Sequence, residues 1–179
     1  MNKLASQIDS LNKHLIGSLH TSYPFGLAHG KMGLLIYLYH LYDYTQEAIY
    51  KEKAERLLDD LLENDLSKNA ELTVEEGLCG VALGLDYIVK KQFVDGDIND
   101  LLSGIDDLLF KLVFGNMESR YSLSQLIHFL YYIYKRLEIQ TNDNERFPFE
   151  GLAIKLVNQL ADLIDASFFE ESYTFSIYQ

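Results

Sequence analysis

Two short stretches gather the residues best suited to chemistry. The first reads Gly26-Leu-Ala-His29-Gly30-Lys-Met-Gly33 and the second Glu75-Glu76-Gly77-Leu-Cys79-Gly80-Val-Ala-Leu-Gly84. Each places glycines just where an apolar helical run begins. A helix start rich in glycine can cradle an anion, because its first amides are unpaired and the helix dipole favours negative charge. His29 lies between these glycines. Glu75 and Glu76 are candidates for the mouth of a pocket, where paired carboxylates can serve glycoside hydrolysis. Cys79 is a third mouth candidate, a ligand for zinc if a histidine joins it.

Each stretch also has a plainer reading. No strand precedes either one and no Lys-Ser/Thr pair follows, so the phosphate-loop mechanism is absent. Two adjacent glutamates in one loop do not make an opposed pair, and Thr73-Val-Glu-Glu76 has the spacing of a capping box. Glycine costs about 1 kcal/mol in a helix interior, so its repeated use needs a structural reason. Close approach of neighbouring backbones supplies one. On this reading Gly26, Gly30, Gly33, Gly77, Gly80 and Gly84 are structural glycines.

The elements that carry these residues are all helical. Four segments, about 3–18, 46–66, 97–114 and 148–168, show apolar residues at spacings of three and four with charged residues between. The first carries Leu4, Ile8, Leu11 and Leu15, and the last Ala153, Leu156, Val157, Leu160, Leu163 and Ile164. Three others, about 29–43, 79–90 and 122–136, are apolar or aromatic nearly all round and are expected to be buried on every side. The two kinds alternate, which predicts an outer and an inner layer of helices. Gly30 precedes Gly80 by about 50 residues and Gly80 precedes the Ile127 region by slightly fewer, the mark of a helical-hairpin repeat. Asp97 is placed to cap one helix. Pro148 is expected in the first turn of the last, where no amide donor is needed.

The remaining constellations read as structure. The tyrosines at 37, 39, 42 and 44, and those at 131, 132 and 134, could line a groove but are expected to pack between layers. His40 and His128 are expected as satisfied core histidines. Asp95, Asp97 and Asp100 lack the glycine and final glutamate of a calcium loop. No Ser-His-Asp set is legible.

Composition narrows the classes of function. The chain has 179 residues, 48% of them hydrophobic, enough for one domain with a real core. Its net charge is −12, which argues against nucleic acid and anionic membrane surfaces. One cysteine allows no internal disulfide and fits a reducing compartment. The first residues, MNKLASQIDSLNKHL, alternate polar and apolar too often for a signal peptide, and no run approaches a membrane span. A cytoplasmic protein is expected.

The stretches GLAHGKMGLLIYLYHLY and EEGLCGVALGLDYIVKKQFVDGDINDLLSGIDDLL resemble the lanthionine synthetase C-like family, in particular members from Bacteroidetes-type bacteria. The likeness is closest over residues 20–115 and weaker over 121–168. It implies an α/α toroid of six inner and six outer helices with Gly-x-x-G motifs opening the inner ones. The chain would form about half of it, since "SYTFSIYQ" reads as a lead-in to a fourth inner helix. The resemblance further implies thioether cyclisation of ribosomally made peptides, with zinc activating a cysteine thiolate. The family's zinc ligands sit in Cys-x-Gly and Cys-His-Gly motifs, and this sequence has neither, so no zinc is expected in this chain. The resemblance implies a catalytic acid or base at His29, which matches the family's Gly-x-x-His-Gly string, although it opens the first inner helix and not a later one; the plainer reading is a polar residue at the ring's mouth, hydrogen-bonded to a loop. A peptide or protein partner is implied, and an open half-ring would be covered by a homodimer or a second chain. Two other functions fit the same sequence, a noncatalytic peptide-binding scaffold and a remnant of a carbohydrate-active toroid.

Overall fold

The computed structural model describes residues 3–17, 23–63, 66, 71–115, 121–140 and 142–164. The reading of the final residues as a lead-in, and the far ends of the outer helices expected at 46–66 and 148–168, lie outside them. The described residues form seven α-helices and no strand: α1 (Lys3–Gly17), α2 (Lys31–Thr45), α3 (Ala48–Glu63), α4 (Leu78–Lys90), α5 (Ile98–Gly115), α6 (Leu123–Ile139) and α7 (Asp143–Leu163). The all-α expectation is met, and each helix falls where periodicity placed one. The chain divides into two compact units, Met1–Ile105 and Asp106–Gln179, with the boundary inside α5.

In the first unit α2 packs on both α3 and α4. Gln46 closes α2 in the left-handed region (φ 59°), its amide donating to the Tyr42 carbonyl. With only Gln46 and Glu47 between them, α2 and α3 form an αα-hairpin. The core is built from Met32, Leu35, Leu38 and Tyr39 of α2, Tyr50, Ala54, Leu58 and Leu61 of α3, and most of α4. Tyr39 stacks on Phe93 at 5.3 Å between ring centroids. In the second unit α6 packs on α7. Its core includes Leu126, Phe129, Tyr132 and Ile133 of α6, and Phe149, Leu152 and Leu156 of α7.

Helix starts follow the local chemistry. Asp97 caps α5 as expected, its carboxylate accepting the Asn99 amide at 2.7 Å. Ser122 and Gln125 form a reciprocal capping box on α6. The box expected at Thr73 and Glu76 is only half made. The Thr73 hydroxyl accepts the Glu76 amide at 3.3 Å, but this closes a turn, and α4 begins later with Gly77 at its cap.

Four expectations are corrected. Pro148 lies inside α7 and not in its first turn, because Asn142 caps the helix earlier by accepting the Asn144 amide at 3.0 Å. On α1 two residues of the stripe, Ile8 and Leu11, are exposed and Leu15 is half-buried, whereas Asn12 is buried and accepts a hydrogen bond from the Tyr37 hydroxyl at 2.6 Å. The helices α2 and α6 are not buried on every side, since Tyr37, Tyr44, Tyr131 and Tyr134 are exposed. Their hydroxyls make this inexpensive, as with Tyr134, which donates to Glu138. His40 lies at the surface and not in the core, although it is satisfied by the Tyr87 hydroxyl at 2.8 Å. Only α4 matches the fully buried pattern, with Lys90 its one exposed residue.

Candidate functional site

The two glycine stretches meet in the first unit, backbone to backbone. The amide of Gly26 donates to the Glu76 carbonyl (3.0 Å), that of Leu27 to Val74 (2.9 Å), and those of Ala28 and His29 both to Glu75 (3.1 Å each). Such a ladder between two irregular segments requires that no side chain stand between them. A Cβ on Gly26 would overlap the backbone of Glu75 and Glu76, and one on Gly80 would overlap the Val74 carbonyl and lie 2.6 Å from the Leu27 nitrogen. Gly30, Gly33 and Gly77 are likewise pressed against backbone. Gly84 is pressed against the Met32 side chain, where α2 crosses α4.

The same corner is built twice. The Lys31 amide donates to the Pro24 carbonyl and the Leu78 amide to the Glu71 carbonyl, each at 2.8 Å. Glu71 and Leu78 lie 47 residues after Pro24 and Lys31. Gly33 abuts the Leu27 carbonyl just as Gly80 abuts that of Val74, at the same offset. The structure therefore matches Gly30 with Gly77 and Gly33 with Gly80, correcting the pairing of Gly30 with Gly80 at about 50 residues. Spacing alone could not separate two glycines one helical turn apart.

Three of the candidate residues come together at this corner, two of them through their side chains. His29 Nδ1 lies 3.8 Å from Glu76 Oε1, with side-chain exposures of 62% and 47%. That separation is too long for a hydrogen bond and both groups are bathed in solvent, so the attraction is weak. Glu75 contributes its carbonyl to the ladder and is half-buried. Cys79, expected at a mouth, lies inside the core instead, because α4 is covered on nearly every face. Burial pushes its thiol well above the ordinary range, so it stays protonated.

Zinc does not fit these residues. The only cysteine is buried as a neutral thiol. Among the described residues no three His, Cys, Asp or Glu side chains converge as a metal site would need.

Two charged clusters escaped the sequence reading. Lys31 is 3% exposed at its side chain, pairs with Asp60 of α3, and lies 5.2 Å above the Phe25 ring. In the second unit Asp106 accepts from the Tyr132 hydroxyl and pairs with Arg136, whose Nη2 is 2.8 Å from Oδ2. The Arg136 guanidinium also lies 5.0 Å from the Phe149 ring centroid. Burial raises the Asp106 carboxyl despite the bonds from Tyr132 and Arg136. The signal in sequence was a cation on a largely apolar helix, Lys31 in one and Arg136, beside Lys135, in the other, since a buried cation requires an acidic partner.

Among the described residues no helix is long and apolar enough to cross a membrane. Comparison with protein-family models, with curated proteins and with solved structures finds no match to this chain.

Proposed function

We propose that the chain is a polypeptide-binding helical scaffold of lanthionine synthetase C-like build, serving the maturation of ribosomally made peptides by holding a peptide or protein partner. It would be part of an α/α toroid of αα-hairpin repeats, without zinc chemistry of its own. The observation that carries this reading is the glycine corner made twice at a 47-residue offset. A doubled helical corner supports a repeat architecture, and repeats of this kind present extended binding surfaces. The placement of the reactive groups supports the noncatalytic form. Five of the six corner glycines pack against backbone, the thiol is buried and protonated, and His29 is exposed with the Glu76 carboxylate 3.8 Å away.

The test uses a dehydrated precursor peptide that carries both a cysteine and a dehydroamino acid. It is incubated with the purified chain, with and without added zinc. Free thiol is then counted by alkylation and mass spectrometry, and binding is followed by fluorescence anisotropy. Binding without loss of free thiol above the uncatalysed rate is expected. Zinc-dependent loss of the thiol would overturn the scaffold reading and restore an enzyme.

A further inference from the structure

Among the described residues, the first corner holds an unfilled copy of a seat that the second corner has filled. In the second corner the carbonyls of Val74, Glu75 and Glu76 accept the amides of the Gly26–His29 segment. Their counterparts, 47 residues earlier by the offset of the two corners, are Leu27, Ala28 and His29. Among the described residues no amide donates to those three carbonyls. Ala28 and His29 are exposed and Leu27 is half-buried. The glycines record the same difference. The space over Gly80 holds the Leu27 amide nitrogen, 2.6 Å from where a Cβ would stand. Over Gly33 the nearest atoms all belong to its own Leu27. A second backbone thus lies over Gly80, and among the described residues none lies over Gly33.

We propose that the carbonyl edge of Leu27, Ala28 and His29 is a docking surface for the amide edge of a glycine corner on another polypeptide. The filled seat defines the partner. It must present consecutive free amides, so it carries no proline there. It needs a glycine where it crosses Ala28 and His29, as Gly26 crosses Glu75 and Glu76. Its next amide then reaches over Gly33 to the Leu27 carbonyl. Recognition is by main-chain hydrogen bonds, as when a peptide adds to a sheet edge. A second copy would bring another charge of −12 to the same place, which favours a neutral or basic partner chain. The inference deepens the scaffold reading, because it names the surface and the chemistry of its partner.

The probe is a synthetic peptide of this chain's own corner, Tyr-Pro-Phe-Gly-Leu-Ala-His-Gly-Lys-Met, whose amides are already seen seated on the equivalent edge. It is titrated into the full chain labelled with 13C and 15N. The expected result is a saturable downfield shift of the carbonyl carbons of Leu27, Ala28 and His29. A peptide N-methylated from its first glycine through its histidine should produce none. No shift at millimolar peptide, or equal shifts from both peptides, overturns the proposal. Thioether formation is read separately, so failure of the edge and failure of the scaffold reading remain distinguishable.

Discussion

Arg136 is buried with its charge, and that makes its pairing with Asp106 a demanding contact. Removing one partner of such a pair leaves the other charge stranded in the core. Arg136→Met should therefore cost about 3–5 kcal/mol near neutral pH, read by urea denaturation. Its pH dependence has a definite sign. The Asp106 carboxyl already titrates above its ordinary value of 3.8, because burial outweighs its hydrogen bonds. The folded chain then holds that proton more tightly than the unfolded chain does. Its contribution to stability is accordingly present at low pH and lost as pH rises through the raised value. Losing Arg136 raises the carboxyl further, so the variant's deficit should be smaller at about pH 5 than at about pH 8. A deficit that grows on acidification would contradict this assignment. At Cys79 the buried, protonated thiol should resist a thiol reagent in the native chain and react promptly once urea unfolds it. Residue types were legible in the sequence here, but not their meetings. Asp106 and Arg136 stand 30 positions apart, and no local pattern joins them.

At the scale of the element, one substitution should act with opposite signs in two helices. Gly80→Ala places a methyl group against the Val74 carbonyl and the Leu27 amide, where backbone cannot yield. A loss of about 3 kcal/mol is expected, the upper range for overpacking. Gly104→Ala in α5 meets nothing within 4 Å and should gain about 0.5–1 kcal/mol from helix propensity alone. Thermal denaturation of the two variants beside the parent chain checks both. All seven helices were legible, because 3.6-residue periodicity and glycine punctuation are local properties. Their ends were less so. Proline is favoured in a first turn, and that preference misplaced the start of α7, where the Asn142 cap prevails and Pro148 forgoes one hydrogen bond inside the helix. Periodicity also misjudged α1 and α7. It reports an apolar stripe, not what covers it. Of the stripe expected on α7, Val157 and Leu163 stand exposed and Leu156 is buried.

For the molecule as a whole, charge is the property that composition fixes most directly. With a net charge of −12 and an isoelectric point near 4.7, copies repel one another at neutral pH. Solubility should pass through a minimum close to pH 4.7, seen as turbidity in a pH titration of the purified chain. A flat profile across that value would mean that exposed groups such as Tyr44, Phe147 and Ile154 control association instead of charge. The alternation of amphipathic and apolar segments led to the expectation of two layers, and its helical content was correctly read. Two of the three segments expected to be buried on every side, α2 and α6, expose tyrosines, since tyrosine counts as apolar in a pattern yet is content at a surface.

The glycines of the corners differ in what they permit a lineage to change. Five of the six face main-chain atoms, which every amino acid shares, so no mutation at the neighbouring position can make room. Gly84 alone faces a side chain, that of Met32. A smaller residue at position 32 would release position 84 to accept alanine. These two sites can therefore drift together, while the remaining five glycines must be inherited unchanged for the corners to close.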